Sequence, residues 1–209
     1  MRFVCLSDTH LRHAGLAVPA GDVLLHAGDL TASGTESEIA AAEGWLASLP
    51  HRFKVVIAGN HDFALERGPA QARKLLPSVT YLQDEEVEIE GLRIWGSPWQ
   101  PWFLDWAFNL ERGADIKAKW DLIPSGIDVL LTHGPPRGIL DRTASGDDAG
   151  CADLLAALAR VRPRVHVFGH IHEGSGTQTC DGMRFVNASI CDLGYRPVNP
   201  PRVFDLERR

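Results

Sequence analysis

Apolar residues fall along this chain in short β-branched runs, separated by stretches that carry a helical period. The runs from Arg2 to Ser7, Val23 to Ala27, Phe53 to Ala58, Val129 to Thr132 and Val165 to Phe168 are nearly continuous in apolar character, as expected for strands covered on both faces. Between the second and third, Ile39, Ala42, Leu46 and Leu49 recur at helical spacing. Thr35 and Glu38 supply a capping box ahead of them, and Pro50 ends the segment. A second helix is predicted after Pro69, stopping before Pro77. VEIE, a Gly91 turn and LRIWG read as a hairpin. A later helix from Ala152 to Val161 has Leu154, Leu155, Leu158 and Val161 as its apolar stripe, Asp181-Gly182 turns into MRFVNAS, and RVFDL supplies a last strand. Strand–helix alternation first and antiparallel hairpins later predict an α/β (α+β) fold. Two mixed β-sheets would pack together with helices outside, as one domain over residues 1–209.

Each of the five runs stops at residues able to bind a metal ion. The first runs into Asp8 and His10, the second into Gly28-Asp29, and the third into Gly59-Asn60-His61-Asp62. The fourth meets His133, and the fifth Gly169-His170-Ile171-His172. Open α/β sheets bind ligands at the carboxyl ends of their strands, and Asp, Asn and His suit hard or borderline divalent metals. Any one of these residues alone has an ordinary reading: Asp8 as a cap, Asn60 as a turn residue, His133 as a satisfied loop histidine. Their joint placement points instead to a two-metal hydrolytic centre. Two carboxylates, one amide and four imidazoles meet the requirement of paired dications for a bridging carboxylate plus neutral ligands. A hydroxide bridging the ions would be the nucleophile. Manganese, iron, zinc or cobalt fits this donor set, with manganese the first expectation; magnesium is less natural beside four imidazoles.

Composition narrows the partners. Hydrophobic residues make up 44% of the 209 and charged residues 23%, with a formal net charge of −6 and no Lys/Arg-rich block. Long nucleic acid is therefore disfavoured. No apolar stretch approaches the length of a membrane helix, so no membrane partner is expected. Cys5, Cys151, Cys180 and Cys191 form no metal-ribbon spacing and read as reduced thiols of a cytoplasmic protein. Among the remaining histidines, His26 and His166 read as core groups, while His13 and His51 sit in loop contexts without assigned chemistry.

The ordered blocks Asp8-x-His10, Gly28-Asp29, Gly59-Asn60-His61-Asp62, His133 and Gly169-His170-x-His172 resemble the signature of the calcineurin-like metallophosphoesterases. SPWQPWFLDWAFNLERG, LLTHGPPRGILD, VFGHIHEGSGT and FVNASICDLGYRPVNPP resemble the brain-type branch of that family, which hydrolyses phosphodiesters including cyclic nucleotides. The resemblance implies a four-layer αββα sandwich. It implies one metal held by Asp8, His10, Asp29 and His172, and a second by Asp29, Asn60, His133 and His170. His61 would face the phosphate without binding metal, and Asp62 would orient it. Some brain-type relatives carry Gly where His170 stands, so the second site is expected to be complete here.

The expected activity is therefore metal-dependent hydrolysis of small phosphodiesters, with His61 assisting the leaving group. The alternative is a phosphomonoesterase or protein phosphatase, and a less favoured one a non-catalytic binding module on the same fold. The stretch from Trp95 to Trp120 holds five of the six tryptophans and is predicted as a long ordered loop followed by a short helix. Trp95, Trp99, Trp102 and Trp106 either form a wall on which a base stacks or simply pack that loop down. Arg112 and Arg137 either meet a phosphate or remain solvated.

Overall fold

A computed structural model describes residues 1–208. In chain order, the first half contains β1 (Arg2–Leu6), β2 (Val23–His26), α1 (Glu36–Ser48), β3 (Phe53–Val56), α2 (Pro69–Leu75) and β4 (Thr80–Tyr81). The middle adds β5 (Glu85–Ile89), β6 (Leu92–Ser97), β7 (Gln100–Pro101), β8 (Asn109–Leu110), α3 (Ala114–Asp121) and β9 (Val129–Thr132). The chain finishes with α4 (Ala152–Val161), β10 (Val165–Phe168), β11 (Gly176–Cys180), β12 (Met183–Asn187) and β13 (Arg202–Asp205).

Two mixed sheets result. One has the order β13-β1-β2-β3-β4 and the other β11-β12-β10-β9-β6-β5. Strands β1 to β4 run parallel, as do β6, β9, β10 and β12, while β13, β11 and β5 join antiparallel at the edges. Side-chain alternation divides each strand between two cores. Phe3, Leu25, Val55 and Ile57 from the first sheet meet Ile94, Val129, Leu131, Val167 and Val186 from the second. Val4, Leu6, Leu24 and Val56 face the other way onto Ile39, Ala42 and Leu46 of α1. Trp95, Leu130 and Phe168 face Ile116 and Trp120 of α3 and Leu154 and Leu158 of α4. Both faces of the central strands are thus covered, which is why they read as unbroken apolar runs, and the molecule is the expected sandwich of two sheets flanked by helices.

The local signals hold with a few corrections. Thr35 Oγ1 accepts from the Glu38 amide at 3.3 Å while Glu38 Oε2 accepts from the Thr35 amide at 3.2 Å, completing the capping box of α1. The α4 stripe consists of Leu154, Leu158 and Val161; Leu155, one residue and hence about 100° off that line, is exposed. At the N-terminus of α4 the Cys151 thiol accepts from the Leu154 amide at 3.4 Å, and the cysteines are free. Within the tryptophan-rich stretch, β7 and β8 form a small parallel ladder that holds the connection in place. One edge of the second sheet is β5, where Glu86 and Glu88 project into solvent. Among the described residues, no helix is long and apolar enough to cross a membrane.

Candidate metal centre

Regular pairing stops one or two residues before the predicted ends of β1, β2 and β3, because the chain turns sharply there. Asp8, His10, Asp29 and His170 have φ of 55°, 42°, 56° and 66°, a left-handed conformation that costs a non-glycine residue about 1 kcal/mol or more. Two glycines let the turning loops meet. A Cβ on Gly59 would strike Asp29 Oδ1 and its amide, and one on Gly169 would strike Ser7 Oγ and Asp8 Oδ2. These contacts bring five strand ends from two sheets to one point.

The imidazoles share an orientation rule. Nδ1 of His10 lies 3.0 Å from the Thr31 carbonyl, that of His133 2.8 Å from Ala27, and that of His172 3.0 Å from Asp192. Nδ1 of His61 lies 2.7 Å from the Ala32 carbonyl. A carbonyl oxygen only accepts, so each Nδ1 carries a proton and donates it, leaving Nε2 to face the centre. His170 instead presents Nδ1, 2.9 Å from Asn60 Oδ1, the same oxygen that lies 2.8 Å from His133 Nε2. The ligand atoms of Asp8, His10 and His172 lie within 4.8 Å of one another, as do those of Asp29, His133 and His170, and those of His10, Asp29 and His61. Asp29 stands between the groups. Its Oδ1 lies 3.5 Å from His133 Nε2, and its Oδ2 lies 3.7 Å from His10 Nε2 and 4.0 Å from His61 Nε2.

Electrostatics fit a cation-binding role. Burial alone would raise the Asp8 and Asp29 carboxyls, yet His172 beside Asp8 and His133 beside Asp29 hold both well below the usual carboxylate range. Burial likewise opposes charge on His133 and His172, but the facing carboxylates push each up to about 9. Burial takes His170 down to about 3. Two buried carboxylates therefore hold positive charge near them, a position that divalent ions can take over with release of the imidazolium protons. The donor set fits divalent ions: oxygen and imidazole atoms in adjoining groups, two of which include Asp29.

All seven predicted ligands (Asp8, His10, Asp29, Asn60, His133, His170 and His172) converge here, and His61 joins them. The reading that Asp62 orients His61 is corrected in its mechanism. The Asp62 carboxylate accepts from the amides of Leu30, Thr31 and Gly59 and from the Thr31 hydroxyl at 2.7 Å. It fixes the loop whose next carbonyl, at Ala32, holds the ring. Burial, reinforced by Asp29, pushes Asp62 up to about 6.

Two neighbours stand outside the seven predicted ligands. Ser189 Oγ donates to Asp8 Oδ2 at 2.6 Å, and the Tyr195 ring packs edge-on against His10 with centroids 4.8 Å apart. The tryptophans divide. Trp95 is core and Trp99 donates to Asp84 under Lys119, whereas Trp106 lies over His61 at 4.2 Å and Trp102 is exposed at the rim. Arg112 donates to the Ala149 and Gly150 carbonyls, and Arg137 is exposed. His26 and His166 are core groups, with Nε2 at 3.1 Å from Thr9 Oγ1 and 2.8 Å from Thr132 Oγ1 respectively. A cleft of about 300 Å³ opens onto Asp29, Asn60, His61 and His170, walled by Phe103, Trp106, Leu193 and Tyr195.

Residues 1–174 match the profile of the Calcineurin-like phosphoesterase family (Metallophos). The human protein "Metallophosphoesterase domain-containing protein 1" is similar at 46% identity, over 98% of this chain and 71% of that one. A Caenorhabditis elegans UPF0046 protein is similar at 41% identity, over 99% of this chain and 81% of that one. The crystal structure of Phosphopantetheinyl Hydrolase from Mycobacterium tuberculosis shares the fold with a TM-score of 0.62 at 17% identity, covering 97% of this chain and 95% of that one.

Proposed function

The chain belongs to the calcineurin-like phosphoesterase family, and on that footing we propose that it is a metal-dependent phosphodiesterase acting on small phosphodiesters, cyclic nucleotides among them. Asp8, His10, Asp29 and His172 would hold one divalent ion, and Asp29, Asn60, His133 and His170 the other, with manganese the first choice. Bound there, such ions supply Lewis acidity at the phosphoryl oxygens and an activated nucleophile.

The chain's own contribution is at His61. Its Nδ1–H is committed to the Ala32 carbonyl, so Nε2, facing the centre, is the atom that exchanges a proton. In hydrolysis a new P–O bond forms from water, which gives up a proton to solvent, the P–O bond to the leaving group breaks, and the departing oxygen takes a proton from His61 Nε2. Trp106, lying against the ring, limits water there.

One observation favours a diester over a monoester or phosphoprotein. Among the described residues, no Lys or Arg lines the cleft, and Glu173 does. A dianionic monoester would find no cationic side chain there to match its second charge, whereas a monoanionic diester with apolar substituents finds Phe103, Leu193 and Tyr195. On manganese-loaded protein, bis(p-nitrophenyl) phosphate should turn over well relative to p-nitrophenyl phosphate, and His61→Ala should slow poor leaving groups by about 100-fold or more with metal content intact. The opposite substrate preference would sink the diesterase reading, and unchanged rates in the variant would remove the role of His61.

A further inference from the structure

A phosphodiester carries two substituents, and the metal cleft has a neighbour. A second cavity of about 180 Å³ is lined by Pro101, Trp102, Phe103, Arg112, Pro135 and His170, among others. It shares Phe103, Thr143, His170 and Ile171 with the metal cleft, so the two meet at a ligand to the proposed second ion. Its volume lies below the range of roughly 300–1,000 Å³ for pockets that take a whole ligand; it accommodates one group, not a molecule.

The walls of this cavity are largely apolar, with Arg112, Thr143 and His170 as the polar members, and they are held in place. Trp102 is 52% exposed and Phe103 59%, yet neither sits on a loose loop. The Trp102 amide donates to the Leu110 carbonyl at 2.9 Å, and Asn109 Nδ2 donates to the Leu104 carbonyl at 2.7 Å. Arg112, also in the lining, is tied to the Ala149 and Gly150 carbonyls, both at 3.0 Å. Large apolar side chains fixed in water beside a reaction centre mark a binding surface, and an exposed indole face is a stacking platform for planar groups.

The geometry assigns this side cavity to a planar aromatic group of the substrate stacked on Trp102: in an open-chain diester the retained ester substituent, with the leaving group departing past His61 and Trp106, and in a cyclic nucleotide, whose two ester oxygens share one sugar, the base. This assignment rests on the diesterase reading and names the substrate class: diesters with such a planar aromatic group. Trp102 is then a specificity residue, and Phe103 divides the two chambers.

The test holds the leaving group constant and changes only the retained side, comparing bis(p-nitrophenyl) phosphate with methyl p-nitrophenyl phosphate on the manganese-loaded protein. Trp102→Ala should raise KM for the bis-aryl diester about fivefold or more, with kcat within about twofold, and leave the methyl diester unchanged. Trp102→Phe should restore most of the difference. In metal-free protein, quenching of indole fluorescence by the intact bis-aryl diester should saturate, and should move to higher concentration in Trp102→Ala. Equal effects of Trp102→Ala on both diesters would overturn the side-cavity assignment while sparing the diesterase reading. A wild-type enzyme inert to both diesters yet active on p-nitrophenyl phosphate would overturn both.

Discussion

Between the sheets, Phe3, Leu25, Val55, Leu131 and Val167 sit in regular extended backbone, fully buried against one another. A few residues further along the same strands, Asp8, Asp29 and His170 are bent into left-handed turns and press charged or polar groups together. The first region stabilises, at roughly 1.5–3 kcal/mol for each large apolar side chain fully buried. The second carries backbone strain and confined charge. The contrast shows how a fold separates tasks: the interior of each strand sets stability, and its last turn sets chemistry.

Two substitutions probe that division from opposite sides. Asp29→Asn removes the carboxylate common to both donor groups. Turnover should fall by more than the roughly 100-fold typical of partners outside the ligand shell, with reduced metal content by elemental analysis, while the metal-free protein keeps its fold by circular dichroism. A stable, fully active variant would refute the division. Leu131→Ala should do the reverse. It opens a cavity in the inter-sheet layer and should cost about 2–5 kcal/mol, lowering the melting temperature by about 2–4 °C for each kcal/mol. The folded fraction should retain its kcat at low temperature.

Acid tests the core more finely. His166 is buried and its Nε2–H donates to Thr132 Oγ1, whose hydroxyl in turn donates to the Gly134 carbonyl. Burial lowers its pKa from 6.5 to about 3. The unfolded chain therefore binds this proton below pH 6.5 and the folded chain does not. Its contribution is complete above 6.5 and falls as pH drops toward 3, by about 1.4 kcal/mol per pH unit. Urea unfolding of metal-free protein at pH 7 and pH 5 should show His166→Gln losing about 2 kcal/mol less than wild type. Equal losses would mean that His166 does not titrate in this way.

Much of this was legible in the residue order because both faces of the central strands are covered, leaving each ligand to punctuate an apolar run. Asp8, Asp29, Asn60, His133 and His170 could be read by that rule. Ser189 and Tyr195 could not: Ser189 ends the MRFVNAS run but offers a hydroxyl rather than a metal-ligating side chain, and Tyr195 reaches the centre from irregular backbone after β12, with no period to mark it. β4, β7 and β8 are too short to show alternation, and β11, GTQTC, is a largely solvated edge strand without an apolar face. The role of Asp62 was hidden for a different reason: adjacency to His61 in sequence suggested a side-chain contact, whereas the turn directs its carboxylate to the amides of two loops. The division of the tryptophans depends on which face of a turn each occupies, which composition does not encode.

The glutamates on β5 matter beyond this site. An open edge offers unpaired amides and carbonyls to any extended segment that arrives. Glu86 is held there in a two-point ion pair with Arg93 of β6 and Glu88 stays in water, so an incoming copy would have to strip charged side chains of water before its backbone could register. The sheet is thereby guarded against growing into a fibre along a side where its hydrogen bonding would otherwise continue.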